Sequence, residues 1–436
     1  MNARDSEALS CLLKEHGMVE SLSEEGADVI VFNTCSVRDQ AEQKVFGKLG
    51  LLKRLKRQRP DLVIGIIGCM AQNYGARIIE KLPHVDFVIG TDQLHIVPEA
   101  VVAALDGKRG LVSTDVGTEV LGALRRHEPG GVSAFVSVMR GCDQFCSYCI
   151  VPYVRGREKS LPIARIVEEV EKLVTAGTRE IFLLGQNVTA YGLAELRQRN
   201  AFSPEASPFA ELLRAVSAVA GVERIRFTSP HPRFMNQAFV DAVCELPKVC
   251  KGLHVPLQSG SDRILGMMGR GYTVGDYLER IKQFKERLGD VTFSTDVIVG
   301  FPSESDEEFE ATRRVMADVG FDMAYIFRYS PRAGTKAEKT LVDDVPKAVK
   351  EERNQVLLAE LEVGVAGRNE RYLGCELTVL VEGPSKRNVE RWTGRSDANK
   401  VCIFTPTDGM SAGDLVRVRI DRVTAHSLFG WVEEGN

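Results

Sequence analysis

A chain of 436 residues, 44% apolar and with a formal net charge of -4, is long enough for two or three globular domains, each with its own core. No apolar run approaches the ~20 residues of a membrane span, and residues 1–7 lack the apolar core of a signal peptide, so the expectation is a cytoplasmic protein with no membrane partner. Ten cysteines at this length are too sparse for a disulfide scaffold, and mild acidity leaves any nucleic-acid binding to local basic patches.

Residues 6–16 read as an amphipathic helix ended by Gly17, with Leu9, Leu12 and Leu13 on its apolar stripe and Cys11 as a small core residue. Two unbroken apolar runs follow, residues 29–35 and 62–69, each ending in a cysteine, Cys35 and Cys69. Unbroken rather than alternating runs separated by a helix predict parallel strands covered on both faces. Their carboxyl ends share one sheet edge, where α/β proteins bind ligands, so these thiols either converge on a common ligand or are two separate core residues. Between them, Lys48, Lys53, Arg54, Lys56, Arg57 and Arg59 fit a solvated helix face and an RNA contact equally well. Residues 87–90 predict a further strand, and residues 115–131, rich in glycine and polar groups, an interdomain linker.

An apolar run at residues 134–139 predicts a buried strand, and Cys142, Cys146 and Cys149 stand directly after it at C-x3-C-x2-C spacing. A disulfide would leave one of three thiols over, so a metal centre suits them better. Structural zinc usually takes four protein ligands in two short pairs, whereas a four-iron cluster on three thiolates keeps one iron open for a substrate. Further strands are expected at 180–184, 223–227, 252–257, 291–299 and 322–328, with amphipathic helices between them, which implies a parallel sheet with right-handed crossovers. Polar residues collect at the strands' carboxyl ends, among them Gln186, Asn187, Ser259 and Ser261, as ligand contacts or as helix caps. His231 between two prolines reads as a rigid turn in preference to a substrate contact, and Asp262 as a helix cap in preference to a catalyst.

Residues 345–371 read as a charged helix, and short strands at 377–381, 401–404 and 415–420 predict a small antiparallel barrel. Lys386, Arg387, Arg391, Arg395 and Lys400 surround Trp392: basic groups track phosphates and a Trp face stacks on a base, while a solvated loop with one packed Trp is the alternative. Cys244, Cys250, Cys375 and Cys402 have no ligand-like spacing.

C-x3-C-x2-C with Tyr148 before the last cysteine resembles the signature of radical S-adenosylmethionine enzymes. Asn33-Thr34-Cys35-Ser36-Val37-Arg38 and Gly68-Cys69-Met70-Ala71-Gln72 resemble the N-terminal domain of that superfamily's methylthiotransferase branch. Val151-Pro152-Tyr153-Val154-Arg155-Gly156-Arg157-Glu158, Ser259-Gly260-Ser261-Asp262, Arg270-Gly271-Tyr272-Thr273 and Tyr329-Ser330-Pro331-Arg332-Ala333-Gly334-Thr335 resemble its tRNA-modifying, MiaB-type members, and the C-terminal strands resemble the TRAM domain.

The resemblance implies an α/β chain: an N-terminal α/β methylthiotransferase domain (1–114), a linker (115–131), a central partial (β/α)6 radical SAM barrel (132–366) and a small antiparallel β-barrel, TRAM (367–436). It implies a 4Fe-4S cluster on Cys142, Cys146 and Cys149 whose open iron binds the methionyl part of S-adenosyl-L-methionine and whose one-electron reduction yields a 5'-deoxyadenosyl radical. Tyr148, Gln186, Asn187, Ser259 and Ser261 would line that ligand's site. A second 4Fe-4S cluster would use Cys35 and Cys69. The family's remaining cysteine for it falls upstream of Met1, so the expectation is a start assigned too far downstream or a fragment, with one ligand missing. The implied activity converts isopentenyl-adenosine beside the anticodon of tRNA to its 2-methylthio form. Threonylcarbamoyl-adenosine or a ribosomal-protein aspartate are the alternative substrates, and a zinc-stabilised RNA-binding protein the alternative of another class. The implied partners are tRNA, read by Lys386, Arg387, Arg391, Trp392, Arg395 and Lys400, and an electron donor such as flavodoxin or ferredoxin, with the enzyme a monomer.

Overall fold

The computed structural model describes residues 1–34, 39–116 and 125–433. It divides into two compact units: Met1–Pro129 with Met139–Phe145 and Cys149–Leu161, and Gly130–Val138 with Cys146–Tyr148 and Pro162–Asn436. Among the described residues no helix is long and apolar enough to cross a membrane.

The first unit is a parallel sheet in the order β1 (Val29–Thr34), β2 (Val63–Gly68), β3 (Phe87–Ile89), β4 (Leu111–Ser113). Side chains alternate between the faces of a strand, and both faces of β2 are buried. Val63 and Ile67 pack under α1 (Asn2–Glu15) and α5 (Val97–Leu105), through Leu9, Leu12, Val97 and Val101. Ile64 and Ile66 pack under α2 (Asp39–Gln58), α3 (Cys69–Tyr74) and α4 (Arg77–Lys81), through Leu49, Leu52, Met70 and Ile78. This two-sided cover is why the strands read as unbroken apolar runs.

The helix expected at 6–16 starts at Asn2 instead. Polarity concealed its first turn, because Arg4 and Asp5 are buried as ion-pair partners rather than exposed. The tail of the expected linker also has a fixed place: Arg126 pairs with Glu15 at 2.8 Å and Glu128 with Lys14 at 2.7 Å, both along α1.

In the second unit, β5 (Ser133–Ser137) precedes a return of the chain to the first unit for the short antiparallel pair β6 (Met139–Arg140) and β7 (Lys159–Ser160). Parallel strands then follow in chain order, β5, β8 (Glu180–Leu184) and β9 (Arg224–Phe227) in one sheet, β10 (Gly252–His254), β11 (Thr292–Val299) and β12 (Met323–Arg328) in a second. A parallel bridge between Ile225 and Val249 carries the array from one sheet to the other. Two of the connecting helices start at reciprocal capping boxes, Thr273/Asp276 and Ser305/Glu308.

Helix Lys347–Asn369 leads to a closed five-stranded barrel of β13 (Glu376–Pro384), β14 (Trp392–Ser396), β15 (Val401–Thr405), β16 (Leu415–Val423) and β17 (Leu428–Val432), in the order β13-β14-β15-β17-β16. All pairings are antiparallel except β15 with β17, and β14 and β17 are additional to the strands expected. The turn between β14 and β15 docks on the amino-terminal ends of the central strands. Arg226 donates to the carbonyls of Ser396 (2.7 Å) and Asp397 (3.2 Å), Thr292 to that of Ala398 (2.5 Å), and Arg224 to those of Thr378 (2.9 Å) and Arg395.

Candidate active site

The cysteine loop is shaped on each side by a different set of contacts. Within the first unit, Gly141 has φ +77, and a Cβ there would collide with the carbonyl of Arg157, so only glycine fits. Cys142 donates its N–H to the Gly156 carbonyl at 3.1 Å. The Asp143 carboxylate accepts from Arg157 Nε (2.7 Å) and the Glu158 N–H (3.1 Å), while Glu158 accepts from the Asp143 N–H (3.1 Å). The Arg-Gly-Arg-Glu segment after the cysteines is thus a clamp on the loop that carries the first of them.

Ile150 and Val154, just beyond Cys149, pack against Cys69, which is buried at the carboxyl end of β2. Around them lies a polar network with little exposure to water. Arg155 donates to Asp5 (2.8 Å) and Asn2 (2.9 Å), and Arg140 to Asp92 (2.9 Å). Cys35 lies outside the described residues.

Within the second unit, Cys146 is buried and accepts a hydrogen bond from Arg270 Nη1 at 3.3 Å. Arg270 Nε also donates to the Tyr272 hydroxyl (3.2 Å), which donates to the Leu257 carbonyl (2.8 Å). The Ser147 N–H donates to the Met268 carbonyl (2.8 Å), and the Ala337 N–H to that of Ser147 (2.7 Å). Tyr148 packs with Ile264, Met268, Phe301 and Tyr329. In the sequence Arg270 stands out only as part of a family-like segment. Nothing local marks an arginine beyond a helix end as the partner of a thiol 124 residues earlier.

At the carboxyl end of β8, both amide atoms of Gln186 and Nδ2 of Asn187 are buried without a hydrogen-bond partner, while Asn187 Oδ1 accepts from Thr189 (2.9 Å). Each orphaned polar atom costs about 1–3 kcal/mol unless a ligand or water meets it, so these amides suit a polar ligand. Ser259 and Ser261 differ from that expectation. Ser261 Oγ caps helix Asp262–Met268 by accepting from the Ile264 N–H (3.3 Å) and donates to Glu308 (2.8 Å), and Ser259 Oγ accepts from the Ser261 N–H (3.2 Å). Their hydroxyls are engaged by the protein's own groups. Asp262 lies one residue inside the helix rather than at its cap, and accepts from the Val274 N–H (2.6 Å).

His231 opens a 3-10 turn, with Nδ1 accepting from the Arg233 N–H at 3.3 Å. Burial, reinforced by Arg270 and Arg233, holds its pKa well below the usual histidine value, so the ring is neutral. The unfolded chain therefore binds the extra proton first as pH falls below about 6.5, and stability drops there by at most about 1.4 kcal/mol per pH unit. Urea unfolding between pH 7 and pH 5 should show a shallower loss for His231→Gln than for the unsubstituted chain.

The basic patch of the C-terminal barrel is smaller than the sequence suggested. Lys386, Arg387 and Arg391 are exposed in the β13–β14 connection, and Trp392 is half-buried against the barrel core. Arg395 pairs with Glu382 (2.8 Å). Lys400 is buried, its ammonium held by Asp322 (2.7 Å) and Asn369 (2.7 Å), so it serves docking rather than a phosphate. Burial pushes the Cys250 thiol up to about 11 and Cys402 up to about 12, which keeps both protonated and poor metal ligands.

Among the described residues no three His, Cys, Asp or Glu side chains are gathered as ligands of a single ion. A cubane cluster makes a different demand, because each thiolate binds its own corner and the three sulfurs stay apart. The described thiols of the loop form no disulfide, and Cys146 Sγ accepts a hydrogen bond from the Arg270 guanidinium, so the donor set fits a cluster.

The chain matches the Radical SAM superfamily over residues 136–316, the TRAM domain over 370–432 and the uncharacterized protein family UPF0004 over 1–90. Fold and site together define a radical S-adenosylmethionine enzyme. Over 461 residues it is 44% identical to the tRNA-2-methylthio-N(6)-dimethylallyladenosine synthase of Opitutus terrae, covering 99% of this chain and 95% of that protein. The protein of the same name from Pseudomonas aeruginosa PAO1 is 42% identical, over 99% of this chain and 95% of its own length. The chain belongs to the family of tRNA-2-methylthio-N(6)-dimethylallyladenosine synthases. Among solved structures, the radical S-adenosylmethionine methyltransferase TsrM from Kitasatospora setae has a TM-score of 0.52 at 16% identity, over 73% of this chain and 64% of that chain, a likeness of fold.

Proposed function

We infer that this enzyme inserts a methylthio group into the adenine ring of isopentenyl-adenosine (dimethylallyladenosine) in tRNA. The observation that carries the reading is 44% identity to a synthase of that name over 99% of the chain. A 4Fe-4S cluster on Cys142, Cys146 and Cys149, with S-adenosylmethionine bound, supplies the one-electron chemistry that an unactivated ring C–H requires.

The chain's own residues do the rest. Arg270 fixes the position of Cys146 by donating to its sulfur. The amides of Gln186 and Asn187 meet the polar groups of S-adenosylmethionine, and Tyr148 braces the loop against the core beneath it. The neutral imidazole of His231 keeps a second charge away from Arg270. Cys69, with Cys35, supplies thiolates to a second 4Fe-4S cluster for sulfur insertion. Lys386, Arg387 and Arg391 track the phosphates of tRNA while Trp392 offers a stacking face. The enzyme works in the cytoplasm as a monomer reduced by a flavodoxin or ferredoxin.

In a strain deleted for its own synthase, expression of this chain restores 2-methylthio-isopentenyl-adenosine to digested tRNA, read by nucleoside mass spectrometry. Unchanged isopentenyl-adenosine, or a methylthio group on threonylcarbamoyl-adenosine or a ribosomal-protein aspartate, would overturn the reading. Arg270→Gln should retain less iron after anaerobic reconstitution, with Arg270→Lys intermediate, because only the arginine's fork reaches both Cys146 and Tyr272.

A further inference from the structure

The basic run of α2 divides in two. Lys48 pairs with Glu24 (2.5 Å), Lys56 is buried against Asp86 (2.7 Å), and Arg59 pairs with Asp28 (2.9 Å). Lys53, Arg54 and Arg57 are exposed, and none forms an ion pair among the described residues. At 100° per residue they share a helix face with Gln43, Phe46, Gly47 and Gly50.

Two features of that face are unexplained by the fold of the unit. Glycine inside a helix costs about 1 kcal/mol relative to alanine, yet a Cβ at Gly47 or Gly50 would meet nothing within 4 Å, so no neighbour requires them. The amino-terminal half of the face also opens into a groove of about 360 Å³ lined by Gln43, Phe46, Tyr74, Arg77, Ile78 and Lys81. In it the rings of Phe46 and Tyr74 meet edge to face at 5.9 Å, with Lys81 4.7 Å from the Phe46 centroid and Arg77 5.5 Å from that of Tyr74. Tyr74 ends the helix that Cys69 begins, so the groove lies one short helix from the carboxyl edge of the sheet.

We propose that this face of the first unit is a second RNA-binding surface, on which the tRNA lays its backbone along Lys53, Arg54 and Arg57 and places an unpaired base in the groove. The proposal rests on the functional reading above. Exposed cations suit any polyanion. Aromatic rings already paired with cations, beside a strip of helix bare of side chains, favour a nucleic acid, whose bases stack and whose backbone needs close approach. An acidic electron-donor protein would use the cations but not the groove.

The test measures tRNA affinity by filter binding between 50 and 200 mM salt for the reconstituted full chain, for Lys53→Ala/Arg54→Ala/Arg57→Ala and for Arg77→Ala/Lys81→Ala. The triple variant should bind about tenfold more weakly at low salt and lower the salt slope by about 2–3, while the double variant weakens binding with a smaller change in slope. Iron content and the thermal midpoint stay unchanged in both, since the side chains are exposed. Affinity and slope unchanged in both variants, while Lys386→Ala/Arg387→Ala/Arg391→Ala binds weakly, would overturn the proposal and leave the functional reading intact. So would intact tRNA affinity with slower reduction by flavodoxin, which assigns the face to the donor. An unsubstituted chain that binds no tRNA overturns the functional reading, and this surface with it.

Discussion

Replacing Cys142, Cys146 and Cys149 together by alanine should remove about four irons per chain from the anaerobically reconstituted enzyme and abolish the methylthio product in tRNA. The fold should survive. Asp143 with Arg157 and Glu158 clamps one side of the loop, and the backbone bonds from Ser147 to Met268 and from Ala337 to Ser147 hold the other, none of them through sulfur. An unchanged thermal midpoint beside lost iron would separate ligand removal from misfolding. The iron left in the variant reports on Cys35 and Cys69: about four would mean a functional second cluster, and none would mean that the radical cluster is the whole complement. Stoichiometric zinc in place of iron would favour the RNA-binding alternative.

The second large effect is expected at the base of the central strands. Arg226→Ala should destabilise the second unit by about 3–5 kcal/mol, because it strands a buried carboxylate. Arg226 and Glu180 are both almost fully buried and pair at 2.6 Å, and Arg226 also serves the carbonyls of Ser396 and Asp397. Removing the guanidinium strands Glu180 Oε2 where water enters poorly, while the carbonyls of Ser396 and Asp397 keep the N–H groups of Asn399 and Gly252. Limited proteolysis should then release the C-terminal barrel by cleavage near residue 370, and urea unfolding should resolve into two transitions. A single transition at the unsubstituted midpoint would mean that the docking contacts contribute little.

Much of the fold was legible because each strand of a two-sided parallel sheet must be apolar throughout, and Glu180–Leu184 was read to the residue. Of the strands that escaped notice, β14 is one whose burial is not written in its own composition. β14, Trp-Thr-Gly-Arg-Ser, reads as polar, yet Gly394 lies so close to the Leu380 carbonyl that a Cβ would collide with it. The strand exists because the barrel closes.

The site divides in the same way. Three cysteines at fixed spacing are a local fact, since ligands on one loop need only a few residues to meet one cluster, so the motif itself was legible in the sequence alone. Which polar groups already have a partner was decided only in three dimensions. Gln186 and Asn187 keep buried, unpartnered amide atoms, while Ser259 and Ser261, equally polar and equally placed at a strand's end, have their hydroxyls engaged by a turn and a helix cap. Likewise Lys400 and Lys56 look like their neighbours in the sequence but end on Asp322 and on buried Asp86, leaving others to face solvent. A side chain's type limits what it can bind. The tertiary structure decides which groups are already satisfied, because hydrogen bonds and ion pairs are made with whatever the fold brings within about 3 Å, however distant in the chain.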